Sequence, residues 1–258
     1  MFNCITFEVS PDKIATLTFI REKVLNSINN ETLKELDELL SQLEAKKGDV
    51  RVLIIKGKGK AFIAGADIKE FEGKTVSGMK AFSVFFQGIL NRLEMLPIPT
   101  IAVIDGYCLG GGCELAMACD LRIASNKAIF GQPEIKLGLI PGAGGTQRLP
   151  RLIGKTRAKE MIFLGGNISA EKAESIGLIN QVVSSEELDS TVGKIANKLA
   201  KGPSFALAQA KESIDRGTEI AWLDAIQMEA NYFSLCFSHD DFKEGVSAFL
   251  DKRKANFE

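Results

Sequence analysis

A run of three glycines, Gly110 to Gly112, constrains the fold of this chain more than any other feature of its sequence. Residues 99–106, just before it, are apolar and β-branched and are bounded by Pro and Gly, which is typical of a strand buried on both faces. The glycines then open a helix that carries Glu114 on its first turn. Because glycine has no side chain, a substrate can approach this backbone closely, and the unpaired N–H groups of a helix start suit a developing negative charge.

Strand–helix units come first along the chain, and helices dominate after residue 146. The predicted strands are residues 5–9 and 14–20, which form a hairpin, and 50–56, 99–106, 121–124, 128–130 and 178–183. The predicted helices are a segment from about Asn30 to Gly48, then 75–96, the helix that the three glycines open and that ends by Cys119, and then 146–152, 155–164, 170–176, 186–201, 204–216, 219–237 and 241–254. Residues 61–70 are expected to form a loop of small residues. This order favours the α/β class, with a parallel-sheet core followed by a helical region. Some of the apolar side chains of that region are expected to pack against another subunit.

Composition excludes several classes of function. The 32 basic and 33 acidic side chains leave a net charge of −1, so neither nucleic acid nor a membrane surface is an expected partner. Five cysteines form no CxxC pair, which favours a reducing compartment. His239 is the only histidine, so a metal site or a Ser-His-Asp catalyst lacks its usual groups, and no metal is expected. No apolar run approaches membrane-spanning length, and we expect a cytoplasmic protein, or one of an organelle matrix after processing.

Two glutamates stand in stretches that are poor in other charges. Glu114 lies between Cys113 and Leu115, and Glu134 lies between Pro133 and Ile135. A carboxylate in such surroundings must find a partner or shift its pKa. Taken alone, Glu114 is more often a favourable partner of the helix dipole than a catalyst. Together the two glutamates can divide the work of acid and base around one water molecule.

Other kinds of site are less well supported. The glycine motifs match neither a dinucleotide fingerprint nor a P-loop, and the chain has no G-x-S-x-G nucleophile elbow. Four lysines in residues 56–69 form either a solvated turn or a phosphate-binding cluster, and the sequence leaves both interpretations open. His239 lies near a predicted helix start and is interpreted as a surface or capping residue.

Several motifs together resemble the enoyl-CoA hydratase, or crotonase, family. They are Ala64-Gly-Ala-Asp-Ile-Lys69, Asp105-Gly-Tyr-Cys-Leu-Gly-Gly-Gly-Cys-Glu-Leu-Ala116, Gly131-Gln-Pro-Glu134 and Pro141-Gly-Ala-Gly-Gly-Thr-Gln-Arg-Leu149, and residues 247–257 are similar to the family's ending. The resemblance implies a crotonase-like β-β-α spiral core over residues 1–195 and a helical C-terminal trimerisation region over residues 196–258. It also implies an acyl-CoA thioester as substrate, no separate cofactor, and a homotrimer or a homohexamer of paired trimers.

The resemblance assigns roles to five residues of the active site. The backbone N–H groups of Ala66 and Gly111 would form an oxyanion hole for the thioester oxygen. Glu114 would deprotonate the water that adds to the β-carbon, and Glu134 would supply the α-proton. Gly142 lies where the family holds the catalytic water.

The resemblance also implies contacts with coenzyme A. The adenine would lie near Ala64, Ala66 and Ile68, beside Asp67. Lys69 and Lys23 would approach the phosphates. Phe249 and Lys252 match positions that reach the coenzyme A of a neighbouring subunit.

The predicted reaction is the reversible syn addition of water to a short- to medium-chain trans-2-enoyl-CoA, which gives a 3-hydroxyacyl-CoA. An enoyl-CoA isomerase or a specialised acyl-CoA lyase of the same family would use the same enolate and is the alternative. A non-catalytic scaffold protein is less favoured because both glutamates and both glycine loops are present, and an RNA-binding relative is less favoured because the net charge is −1.

Overall fold

The computed structural model describes residues 2–45 and 48–257. The strands are β1 Ile5–Val9, β2 Ile14–Phe19, β3 Val52–Gly57, β4 Ala61–Ile63, β5 Thr100–Ile104, β6 Tyr107–Leu109, β7 Leu121–Ser125, β8 Ile129–Gly131, β9 Asn167–Ser169 and β10 Gln181–Val183. The helices are α1 Asn30–Ala45, α2 Val76–Glu94, α3 Gly111–Met117, α4 Gly145–Ile153, α5 Lys155–Leu164, α6 Ala170–Ser175, α7 Leu188–Ala200, α8 Ser204–Gly217, α9 Trp222–Cys236 and α10 Asp240–Leu250. Short 3-10 helices cover Glu22–Val24, Ile68–Phe71 and Pro133–Leu137.

Two sheets are linked by a repeating order of elements. The larger sheet has six strands in the order β1-β2-β3-β5-β7-β10, and the smaller has four in the order β4-β6-β8-β9. Three times the chain runs from a strand of the larger sheet directly into a strand of the smaller one, as β3–β4, β5–β6 and β7–β8. Each of these pairs is followed by an α-helix, α2, α3 and α4 in turn, with a short 3-10 helix before α2 and before α4. This is the β-β-α spiral expected from the resemblance.

The larger sheet is covered on both faces. Helices α1 and α2 contribute to the main apolar core on one face. On the other face, Val52, Ile101 and Val103 pack with Leu188 and Val192 of α7. All five residues of β5 are buried, which confirms the strand predicted from the apolar run before the glycines.

The hairpin β1–β2 is also confirmed, with Ile5 opposite Phe19. Four short elements differ from the prediction. Residues 61–63, expected in a loop, form β4, which pairs with β6. Strands β6 and β9 were missed, and of residues 178–183 only the last three form a strand. Strands of three residues depend on partners far away in the chain, and a local pattern does not reveal them. Residues 46 and 47, which precede the predicted helix end at Gly48, lie outside the described residues.

The C-terminal helices leave large apolar side chains in solvent. Trp222, Leu223 and Phe249 are 75%, 79% and 83% exposed. The predicted division between residues 195 and 196 falls inside α7, and Ala196 and Ala200 of this helix are part of the core. That division stays a prediction. Within residues 2–45 and 48–257, no helix is both long enough and apolar enough to cross a lipid bilayer.

Candidate active site

The first turn of α3 lies directly against the loop that follows β4. A Cβ atom added at Gly112 would lie 2.2 Å from the carbonyl oxygen of Ile63, so only glycine fits there. At Gly111 such an atom would lie 3.8 Å from the backbone nitrogen of Ala66. Gly110, the residue before the helix, has a φ of +48°, a conformation that favours glycine. The glycine run therefore brings the backbone of Gly111 beside that of Ala66.

The loop that contains Ala66 is fixed by bonds on both sides of this residue. Ile28 N–H donates to the oxygen of Gly65 at 2.8 Å, and Asp67 N–H donates to the oxygen of Ile28 at 2.7 Å. The side chain of Asp67 pairs with Arg21 at 3.1 Å. Among the described residues, the N–H groups of Ala66 and Gly111 find no acceptor. Two neighbouring unpaired N–H groups are what an oxyanion hole requires, and that role of Ala66 and Gly111 stays a prediction.

These groups open into a cavity of about 210 Å³. Its lining combines the two glutamates with backbone from three loops and with an apolar wall. The lining residues are Ala64, Gly65, Ala66, Ile68, Phe71, Met79, Phe82, Ser83, Phe86, Gly110, Gly111, Glu114, Pro133, Glu134, Leu137, Leu139, Ile140, Gly142 and Ala143. Helix α2 supplies Met79, Phe82 and Phe86, as its apolar spacing predicts.

Glu114 is 2% exposed and is held by the start of α4. Its Oε1 accepts hydrogen bonds from the N–H groups of Ala143 and Gly145, both at 2.7 Å. Burial raises the pKa of the Glu114 carboxyl group, while these two N–H donors and the charge of Arg148 oppose the rise. Each of the donated bonds favours the ionised form and so offsets part of the cost of burying this carboxylate.

Glu134 is half-buried on the first turn of the 3-10 helix Pro133–Leu137. Burial raises its pKa to about 7, its own backbone N–H lowers it, and the neighbouring charge of Glu114 raises it further. At neutral pH the protonated form of Glu134 is therefore well populated. One cavity thus holds a carboxyl group that accepts two N–H bonds and a second one whose pKa is raised to about 7, an arrangement suited to acid–base chemistry.

Three residues of this site were missed from the sequence. Gln132 is fully buried, and with its amide nitrogen turned toward Glu134 it donates to Oε1 at 2.9 Å and to Oε2 at 3.1 Å. Ser83 and Gln87 of α2 both donate to the carbonyl oxygen of Gly142, at 2.6 and 2.8 Å. Gln132 lies within a quoted motif, but Ser83 and Gln87 look like ordinary polar positions of an amphipathic helix.

The predicted coenzyme A contacts are only partly assembled within one chain. Ala64 and Ile68 line the cavity beside Ala66, whereas the side chains of Lys23 and Lys69 are exposed. Phe249 and Lys252 are exposed at the end of α10 and are not among the residues that line the cavity. Their assigned role requires a second subunit and stays a prediction.

Among the described residues, Cys4, Glu31 and Glu35 are grouped closely enough to hold a metal ion. Both oxygens of Glu35 already accept backbone N–H bonds, from Asn3 at 2.6 Å and Cys4 at 2.9 Å. Burial raises the pKa of the Cys4 thiol, which favours the protonated form over the thiolate that a metal needs. The contacts of Glu35 therefore serve to attach residues 3 and 4 to α1.

Comparison with known proteins identifies the family of the chain. The sequence profile of the enoyl-CoA hydratase/isomerase family matches residues 10–258. The chain belongs to this family. It is 46% identical to the short-chain-enoyl-CoA hydratase of Clostridium acetobutylicum over 94% of this chain and 93% of that protein. It is 42% identical to the crotonyl-CoA hydratase of Syntrophomonas wolfei over 95% of each.

Solved structures of the family share the fold over nearly the whole length. An enoyl-CoA hydratase from Bacillus anthracis matches with a TM-score of 0.94 and 38% identity, over 99% of both chains. One from Geobacillus kaustophilus matches with a TM-score of 0.96 and 34% identity, over 100% of this chain and 97% of that one. The α/β crotonase fold class expected from the motifs is confirmed.

Proposed function

We propose that this protein is an enoyl-CoA hydratase that adds water reversibly, and in the syn sense, to the double bond of a trans-2-enoyl-CoA. The observation that carries the proposal is the single cavity in which Glu114 and Glu134 face the unpaired N–H groups of Ala66 and Gly111. Family members named as hydratases, at 42% and 46% identity, support the same activity. The product is a 3-hydroxyacyl-CoA, and the reaction belongs to fatty acid metabolism.

The N–H groups of Ala66 and Gly111 receive the thioester oxygen. As negative charge moves onto that oxygen, the β-carbon becomes electrophilic and the enolate is stabilised. Ionised Glu114 takes a proton from water while the water oxygen bonds to the β-carbon. Protonated Glu134 delivers its proton to the α-carbon, so that one hydrogen and one hydroxyl add to the same face. A proton passing from Glu114 to Glu134 restores the starting state.

The substrate we propose has a short acyl chain. A cavity of about 210 Å³ lies below the range of about 300–1,000 Å³ that is usual for drug-sized ligands. Aromatic rings occupy part of its apolar wall, where Phe82 packs edge-on against Phe71 and Phe86 with ring centroids 5.7 and 6.3 Å apart. The names of the two relatives, short-chain and crotonyl, point the same way.

We also propose that the protein works as a homotrimer or as a pair of trimers in the cytoplasm. Trp222, Leu223 and Phe249 are more exposed than side chains of this size are expected to be in a monomer. A subunit that covers these residues would also bring Phe249 and Lys252 to a neighbouring site. Light scattering that gives the mass of a monomer would contradict this part of the proposal.

The activity is tested by adding the protein to crotonyl-CoA and following the loss of the enoyl absorbance. We expect Glu114→Gln and Glu134→Gln each to slow hydration by about 10²-fold to 10⁴-fold, because each removes a proton-transfer group. Glu160→Gln, which changes an exposed carboxylate of α5, is the matched control. Wild-type rates in both site variants would show that the roles assigned to the glutamates are wrong. Product analysis with a 3-enoyl-CoA separates hydration from isomerisation.

A further inference from the structure

The carbonyl oxygen of Gly142 is held by two side chains of α2. Ser83 Oγ donates to it at 2.6 Å and Gln87 Nε2 donates to it at 2.8 Å. The two side chains lie one helical turn apart on the same face of α2, and Gln87 Nε2 also donates to Ser83 Oγ at 3.1 Å. This carbonyl therefore has two donors that belong to a different element of the fold.

The other end of the same peptide group faces a glutamate of the active site. The peptide that joins Gly142 to Ala143 has the carbonyl oxygen of Gly142 on one side and the N–H of Ala143 on the other. That N–H donates to Glu114 Oε1 at 2.7 Å. Because a peptide group is planar, fixing its carbonyl also fixes the direction of its N–H. Hydrogen bonds joined in series also polarise one another, so donors on the oxygen strengthen the bond made by the N–H.

We infer that Ser83 and Gln87 are positioning residues of the hydration reaction, which hold the Gly142–Ala143 peptide so that its N–H points at Glu114. This inference rests on the proposed function, because it takes Glu114 as the base. Neither side chain needs to touch the reacting atoms. The same helix lines the acyl side of the cavity with Phe82 and Phe86, so α2 joins the substrate wall to the support of the base.

Loss of the bonds from Ser83 and Gln87 is expected to change the pKa of Glu114. Glu114 is buried, and its ionised form depends on the N–H groups of Ala143 and Gly145. If the peptide loses its two carbonyl donors, the Ala143 bond weakens and the carboxylate is less stabilised. The pKa of Glu114 then rises, and a larger fraction of the protein holds the base in its inactive protonated form on the acid side of the rate profile.

The principal variant is Gln87→Met, which keeps the length of the side chain and removes the donor, and Ser83→Ala is the second. We expect each to lower kcat by about fivefold, roughly the effect of one hydrogen bond, with KM within about twofold of wild type. The acid limb of the kcat profile is expected to move upward by about half a pH unit. Ser83→Thr keeps the hydroxyl group and should restore the position of that limb. Gln42→Met is the matched control, because the Gln42 amide donates to Glu38, on the surface of α1.

A double-mutant cycle separates positioning from a merely structural link between α2 and the loop. In a Glu114→Gln background the base is absent, so adding Gln87→Met should cost no further activity, whereas a structural defect would cost the same factor again. An unmoved acid limb, an unchanged kcat, or an equal loss in both backgrounds would overturn the inference. If the wild type hydrates crotonyl-CoA and the Gln87 and Ser83 variants are equally active, only this inference is refuted. If the wild type itself is inactive, the proposed function is refuted as well.

Discussion

The raised pKa of Glu134 makes a prediction about stability that does not depend on measuring activity. Glu134→Gln should make the protein more stable at pH 8 than the wild type, although it removes a catalytic group. Burial raises the pKa of this carboxyl group from 4.5 to about 7 in the folded protein. Between these values the folded state keeps a proton that the unfolded chain has released, so the folding free energy becomes less favourable as pH rises through this window. Below this pH window Glu134 is protonated in both states, and it does not destabilise the folded protein.

The size of the effect follows from the two pKa values. A rise from 4.5 to about 7 corresponds to about 3 kcal/mol at most. Because Glu134 is half-buried, solvent screening brings the expected gain to about 2 kcal/mol. The Gln side chain has nearly the same shape, and its oxygen still accepts from Gln132. The difference in stability between variant and wild type should therefore be near zero at pH 4.5 and reach its full value at pH 8.

The assay is chemical denaturation of both proteins at pH 4.5, 6 and 8, at one protomer concentration because assembly contributes to apparent stability. Glu160→Gln again controls for the loss of an exposed carboxylate. A stability difference between Glu134→Gln and wild type that stays constant across the three pH values would refute the reasoning. So would a variant that is less stable than wild type at pH 8.

Two further predictions concern the packing around α3. Gly112→Ala should lower the free energy of unfolding by about 2 kcal/mol or more, since its Cβ would lie 2.2 Å from the oxygen of Ile63, and thermal melting checks this. Gly88→Ala in α2 is its control and should stabilise by about 0.5–1 kcal/mol, because the added methyl group would have open space around it. Arg122→Met should cost about 2–4 kcal/mol in a denaturant titration, because buried Arg122 donates to the carbonyl oxygens of Ala116, Cys119 and Leu178. An exposed arginine of α5, changed as Arg157→Met, should cost little, and equal losses in both would contradict the explanation.

The parts of the fold that the sequence predicted are those whose causes are local. Strand β5 is buried on both faces and consists of apolar residues throughout, and α2 repeats its apolar side chains at helical spacing. Strands β4, β6 and β9 have three residues each and exist because other strands lie beside them. Residues 61–63 contain no turn residue and no alternation, so nothing in their own pattern separates a strand from a loop.

The candidate site divides in the same way. Glu114 and Glu134 were recognised because their surroundings lack other charges, and the structure places both in one cavity. The groups that support them were not recognised. Ser83 and Gln87 are polar residues whose shared partner, Gly142, lies in a distant segment, and the bond from Gln132 to Glu134 depends on how the backbone turns between them. Ser83 and Gln87 bond to a residue that lies 59 and 55 positions away in the sequence. Composition and residue spacing do not reveal hydrogen bonds of this kind.

The glycines of the site and the pKa values of its glutamates have one cause. A Cβ atom at Gly110 would lie 2.9 Å from Glu134 Oε1, and one at Gly145 would lie 3.0 Å from Glu114 Oε1. Gly110 has a positive φ and Gly145 does not. At Gly145, therefore, glycine is required for space and not for backbone conformation. Backbone that comes this close excludes water from the carboxyl groups, and exclusion of water is the main reason why both pKa values rise. A larger residue at either glycine would force the facing carboxyl group to move, so the close backbone that raises these pKa values also fixes where the two carboxyl groups lie.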